Sequence, residues 1–375
     1  MKTITAIIEI QTQSPLHITA LEQGRYVPET GRIVRSEVTG QASIPCALTR
    51  TLAVRKAVAA ETAEGRTIDF ARVPVIPANT LGGKLRTAAC ELVESALILN
   101  GKKLSPRAFN TLRKGTATTE LKRSEQTVLL ARYGANHPLI GIFGGTSYGI
   151  DANLVVHEGL PVTEDTLPLL PASPLAAEPV RDFALTDALP IVRKDALIDI
   201  NKPEHIAAIV GVDEVNAYHE AEMGRSVAKK AKKDAGETGK KESLRAIATV
   251  EAARPGLHYQ IALTLRSRND KQTGMLLLAL KSLVDSGQLG GKAARGFGRF
   301  SVIASRVSIK DADGNLIETP LFGLRTEGNG YEWNVNDELK SAIAAAESWI
   351  ETVDPDELEM LASDNAPAQI KELAG

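Results

Sequence analysis

Two cysteines in 375 residues, Cys46 and Cys90, lie far apart and share no C-x-x-C or C-x-x-H spacing. That excludes a disulfide framework and a zinc ribbon, and leaves both as reduced, buried, small apolar side chains. Six histidines are present (His17, His137, His157, His205, His219 and His258), none in a spacing such as H-E-x-x-H, so neither a metal nor a cofactor is expected. Nothing approaches the roughly 18 uninterrupted apolar residues of a membrane span. The opening Met1-Lys2-Thr3-Ile4-Thr5 reads as strand without a signal-peptide pattern, so a cytoplasmic protein with no membrane contact is expected. The carboxylate clusters Glu220/Glu222 and Asp354/Asp356/Glu357 sit in polar surroundings, where solvated helix faces are the ordinary outcome.

What is present is a 43% hydrophobic chain, enough for one sizeable core with large insertions. The net charge of −2 hides an asymmetry: residues 331–375 carry eleven acidic and two basic side chains, which leaves 42 basic against 35 acidic in residues 1–330. A basic body attracts a phosphate backbone, whereas an acidic tail suits protein contacts or solvation.

Alternation over Thr3 to Ile10 predicts a strand that stops at Ser14-Pro15. Residues 24–40 show no clear period. Leu81, Leu85, Ala88, Ala89, Leu92, Val93, Ala96 and Leu97 recur at helical spacing, with Asn79 or Thr80 as the natural N-cap. Two more helical patterns fall within 103–134, a strand at Asn153 to Val156, and a proline-punctuated surface loop from Pro161 to Pro190. Residues 193–250 turn polar, with eight basic and three acidic residues between Arg225 and Arg245, and are expected to project from the core. A strand at Leu257 to Leu265, a helix from Met275 to Val284 closed by Gly287, and strand alternation from Phe300 to Ile309 complete the pattern. Strand, helix, strand, then strand, helix, strand is the order of an α+β, ferredoxin-like or RRM-like sheet with its helices on one face and the other left for a ligand.

The sharpest local feature is Leu289 to Phe300. Gly290, Gly291, Gly296 and Gly298 permit close backbone approach, and Lys292, Arg295 and Arg299, with Phe297 among them, supply charge for a phosphate. The bland alternative is a glycine-rich turn. As a dinucleotide fingerprint it has the wrong topology, because it follows a helix and leads into a strand. The start of the first helix, Asn79-Thr80-Leu81-Gly82-Gly83-Lys84-Leu85-Arg86, offers exposed amides and two cations, or else is a capped helix whose glycines pack on the sheet. His17, just after the first strand, is the one histidine placed to meet a ligand.

Together these segments resemble the RAMP superfamily of CRISPR proteins. Ser14-Pro15-Leu16-His17-Ile18 is similar to its P-L-H-I-G segment, Ile76 to Arg86 to its I-P-x-S-S-L-K-G-x-x-R helix start, and Ile142-Phe143-Gly144-Gly145 to its L-F-G segment. Glu251 to Tyr259 is similar to its E-x-V-x-x-G-x-x-F strand start, and Gly290 to Phe300 to its glycine-rich loop. The resemblance implies a non-catalytic backbone subunit, of the seventh Cas family and most like that of type IV systems, polymerising along a guide RNA. Its partners would be the guide, further copies of itself, other subunits of the complex, and target DNA through the guide. His17, Asn79, Thr80, Lys84, Arg86 and the loop would touch RNA. Residues 193–250 would be a thumb hairpin contacting RNA through Arg225, Lys229, Lys230, Lys232, Lys233, Lys240 and Lys241.

On this reading the palm comprises residues 1–100 and 251–325, a helical and loop insertion 101–192, and an acidic extension 326–375. Type III backbone subunits cut target RNA with an aspartate between the first strand and helix, and this chain has none before Asp69. Guide-processing RAMP endonucleases pair a histidine with the glycine-rich loop, which keeps cleavage through His17 as the alternative. The family's basic residue after Leu81 is replaced by Gly82.

Overall fold

Alternating β-branched residues at the start of the chain form β1 (Lys2–Thr12), the central strand of the larger sheet in a computed structural model. The structure describes residues 1–35, 44–56, 60–62, 65–67, 69–114, 135–145, 151–180, 185–194, 245–325 and 330–362. The thumb positions Arg225, Lys229, Lys230, Lys232, Lys233, Lys240 and Lys241, residues 115–134 and the end of the acidic extension lie outside the described residues.

β1 pairs antiparallel with β13 (His258–Ser267) and β14 (Phe300–Lys310). β9 (Leu154–Val156) and β10 (Leu160–Pro161) extend the β13 edge, and β15 (Leu316–Thr319) extends the β14 edge. Register explains the core. Ile4, Ala6, Ile8 and Ile10 stand on one face beside Leu265, Leu263, Ile261 and Tyr259 of β13, and Val307 and Ile309 of β14 continue the row. Onto this face pack α1 (Ala78–Leu99) and α4 (Asp270–Ser286), through Leu81, Leu85, Ala89, Val93, Met275, Leu276 and Leu280. Each large aliphatic side chain so buried contributes about 1.5–3 kcal/mol.

The helix boundaries correct one expectation and meet another. α1 is capped by Pro77, whose carbonyl accepts the Thr80 and Leu81 amides at 2.9 and 3.1 Å, so Asn79 and Thr80 lie within the first turn. Proline fits there because the start of a helix leaves its own N–H without work to do. α4 begins at Asn269, whose side chain accepts the Gln272 amide at 3.0 Å, and ends at the left-handed Gly287.

Behind these lie α2 (Pro106–Lys114), the single turn α3 (Ile140–Phe143), α5 (Asp337–Thr352) and α6 (Pro355–Ala362). The acidic extension therefore has an apolar stripe, Leu339, Ile343, Ala346, Trp349 and Ile350, packed into the helical layer. One of its acids is structural: Glu359 accepts the Ser105 amide and, at 2.6 Å, the Ser105 hydroxyl at the start of α2.

The proline-rich stretch also departs from expectation. Residues 171–177 lie against the sheet face away from the helices, held by Glu9 of β1, and β11 (Thr186–Lys194) runs through Pro190.

Two units partition the chain, the first being 1–23, 48–187 and 251–375 and the second 24–47 and 188–250. The second is built on a five-stranded sheet in the order β11, β12 (Arg245–Ala253), β4 (Ile44–Thr49), β2 (Thr19–Val27), β3 (Arg32–Val34). The first also carries two-stranded ribbons: β5 (Thr51–Arg55) with β8 (Phe70–Pro74), β6 (Ala60–Thr62) with β7 (Gly65–Thr67), and β16 (Phe322–Arg325) with β17 (Tyr331–Trp333). Among the described residues no helix is long and apolar enough to cross a membrane, and no group of His, Cys, Asp and Glu is arranged to hold a metal. Cys46 and Cys90 are both buried, and burial pushes the Cys90 thiol up to about 12.

Candidate nucleic-acid interface

Residues 13–18, which follow β1, form a floor on which the glycine-rich loop is fastened. Gln13 donates its amide to the Arg299 carbonyl at 2.7 Å, and Arg299 returns its own to the Ser14 hydroxyl at 2.8 Å. Gly298 donates to the Pro15 carbonyl at 2.8 Å and Gly291 to the His17 carbonyl at 2.9 Å. From the other side, Leu16 and Ala253 exchange backbone bonds of 3.0 and 2.7 Å. Two of the four loop glycines are thus consumed by packing. A Cβ on Gly298 would lie 1.7 Å from the Leu289 carbonyl oxygen, and one on Gly290 would lie 2.7 Å from that of His17.

With its backbone spent on this floor, the loop turns its charge outward. A 3-10 turn over Ala293–Arg295 exposes Arg295, Arg299 is exposed, and Lys292 and Phe297 are half-buried. Lys292 is the only described non-glycine residue with positive φ, at 63°. That conformation disfavours a side chain, so the loop retains a lysine where glycine would be easier.

His17 lies beneath this loop and not on an open surface. It is 1% exposed. Its Nδ1 is 2.8 Å from the Glu251 carbonyl, to which it donates, and its Nε2 is 3.1 Å from the Thr19 hydroxyl, from which it accepts. Burial, supplemented by the nearby Lys292 charge, lowers its pKa and keeps it neutral. Both ring nitrogens are thus engaged within the fold, the ring joining the floor to Glu251 and Thr19 while the His17 carbonyl holds the loop at Gly291.

The start of α1 is the second basic element. Ile76 exchanges backbone bonds of 2.9 and 2.8 Å with Gly159, which anchors the helix beside β10. Asn79 and Lys84 are exposed and Thr80 is half-buried. Arg86 turns inward. Its Nε donates to the Leu112 carbonyl at 3.0 Å and its Nη2 to the Gly144 carbonyl at 3.3 Å, with burial lowering its pKa. It ties α2 and the Phe143-Gly144 turn to α1.

Both elements belong to one end of the sheet. Thr12 pairs with Phe300, immediately after the loop, and Gln11 with His258, while Leu160 of β10 pairs with Gln260. Three strand spacings, about 14 Å, separate β14 from β10. Between the two sits a cation the sequence reading did not single out. Arg50 is exposed, its amide donates to Ile18 at 2.8 Å, and its carbonyl accepts from Val75 at 3.0 Å. An arginine after a weakly patterned strand carries no local signal, and only the fold brings it here.

The family model of the RAMP superfamily matches residues 9–301. The chain belongs to the RAMP superfamily. The span runs from the central strand through the loop just described, so the matched segments are those that build this end of the sheet. No curated protein matches the chain significantly. Among solved structures, a chain of a structure described as "Type IV-B CRISPR Complex" is 14% identical over 84% of this chain and 92% of its own, with a TM-score of 0.40. That likeness is too remote to carry weight.

Proposed function

We propose that this RAMP protein is a non-catalytic, guide-RNA-binding backbone subunit of a CRISPR complex, most similar to that of type IV systems. The observation that carries the reading is a loop whose backbone is fastened to residues 13–18 while Arg295 and Arg299 are exposed and Lys292 is half-buried beside them. With Arg50, Asn79 and Lys84 at the same end of the sheet, these groups suit a phosphodiester chain, which such side chains hold without reading its sequence. The sheet serves as a ferredoxin-like palm, in support of which the strands run in the order β14, β1, β13, β9 with α1 and α4 in between along the chain. Residues 193–250 supply the thumb, and further copies and other subunits assemble along the guide, which pairs with target DNA.

The alternative, guide cleavage through His17, loses its support because the ring is enclosed and engaged at both nitrogens. The test is to purify the protein from its host, sequence the co-purified nucleic acid, and measure its affinity for that RNA with Lys84→Ala and Arg295→Ala. Each variant is expected to weaken binding alike across unrelated sequences and to reduce the salt slope by about 0.7. Discrete RNA fragments produced by the wild type, or affinity unchanged in both variants, would contradict the proposal.

A further inference from the structure

The sheet face turned away from α1 and α4 is divided in two. Towards the loop end it is closed. Glu9, fully buried, accepts the amides of Leu175, Ala176 and Ala177 at 2.7, 2.8 and 2.9 Å and the Gln260 side-chain amide at 3.2 Å, while Gln260 accepts the Ala172 amide at 3.1 Å. Ile7 and Ala262, the next pair along, are also buried. Towards the start of β1 the same face is open. Thr3 stands between Arg266 and Lys310, and Thr5 between Thr264 and Ser308. Arg266 and Lys310 are exposed, and among the described residues neither has an ion pair. Arg306, one step nearer residues 171–177, is matched by Glu318 at 3.5 Å, and Glu318 also takes the Ser308 hydroxyl at 2.9 Å.

We infer that this open half is a second surface for the phosphate backbone of a single-stranded nucleic acid, separate from the loop end and used by strands long enough to reach both. The inference rests on the proposed RNA binding. Two unmatched cations two strand spacings apart, about 10 Å, flank a plate of hydroxyls, and lysine, arginine, serine and threonine are the side chains that contact phosphate. The alternating pattern of β1, β13 and β14 places no aromatic ring on this face, so it offers neither base stacking nor the buried aromatic anchor on which protein interfaces depend. A backbone contact without sequence preference is what remains.

Geometry sets the length dependence. From Thr12 to Thr3 is about 30 Å along the strand. At about 3.4 Å per stacked nucleotide a stacked strand needs about nine nucleotides to touch both surfaces, and a fully extended one about half as many. Fluorescence anisotropy on the full chain would compare the wild type with Arg266→Glu/Lys310→Glu, using single-stranded RNAs of about 3 and about 30 nucleotides over a salt series. The short RNA is expected to bind both proteins equally. The long RNA is expected to bind the variant roughly tenfold more weakly at low salt, with the slope reduced by about 1.4. The neutral pair Arg266→Gln/Lys310→Gln is expected to show a smaller loss in the same direction, guarding against misfolding by charge reversal. Equal binding of the long RNA by all three proteins would overturn the second surface while leaving RNA binding at the loop end intact. A wild type that binds neither RNA would overturn both. Preferential displacement of the long RNA by poly-glutamate from the wild type but not the variant would reassign the face to an acidic protein.

Discussion

The glycine-rich loop and the start of α1 look alike as strings, each with paired glycines followed by two basic residues, yet they spend those residues in opposite ways. In the loop, Gly290 is required by the floor at 13–18 and Gly298 by the Leu289 carbonyl, while Arg295 and Arg299 stay exposed. At α1, Gly83 has open space around it, Lys84 is exposed, and Arg86 is drawn in by two carbonyls. A basic side chain goes to whatever unpaired acceptor lies within reach, and only the packing of distant segments decides whether that acceptor is a carbonyl or a phosphate.

The sharpest way to break this contrast is alanine at one glycine from each region. Gly298→Ala should cost more than about 4 kcal/mol in urea unfolding, because its Cβ would meet backbone that cannot yield. Gly83→Ala should leave stability unchanged or raise it by up to about 1 kcal/mol through helix propensity. Comparable losses at both positions would erase the distinction.

Acid probes the same two regions through one buried histidine apiece. His137 accepts the Leu139 and Ile140 amides at 3.1 Å each, in the turn that leads to Gly144, and burial brings its pKa down from 6.5 to about 3. His17 is lowered from 6.5 as well, beneath the loop. In each case the folded pKa lies below the unfolded one, so the unfolded chain takes the proton first. For His137 the stabilisation is complete above pH 6.5 and is lost as pH falls from there towards about 3, and for His17 it is lost in the same direction. His137 alone would contribute on the order of 5 kcal/mol across that window. Stability measured against pH in wild type and His137→Gln should show a shallower acid decline in the variant, and identical curves would contradict the assignment.

Arg86→Met comes next. Stranding the Leu112 and Gly144 carbonyls should cost about 2–3 kcal/mol of stability while RNA affinity per folded molecule stays unchanged. A fall in affinity with a reduced salt slope would return Arg86 to the phosphate contacts.

Periodicity made β1, α1, β13, α4 and β14 legible because each has one strongly apolar face, and their order carried the α+β class with it. Glu9 shows where that reasoning ends. Within the β1 alternation it reads as a solvent-facing position, yet amides from more than 160 residues later enclose it. His17 looked surface-bound for the same reason, since neither Glu251 nor the loop is near it in sequence. The hairpin of β2 and β3 lacked a pattern because β3 is partly exposed, with no buried residue. Pro77 was passed over as a cap because a carbonyl does the work there, and every residue has one.

In the loop, strain at Lys292 is kept for the sake of charge, and Lys292→Gly tests this directly. Salt-dependent RNA binding measured beside urea unfolding should show stability raised by roughly 1 kcal/mol as the left-handed position is relieved, together with weaker binding and a slope lower by about 0.7. Binding that keeps its affinity and slope in the glycine variant would contradict the account.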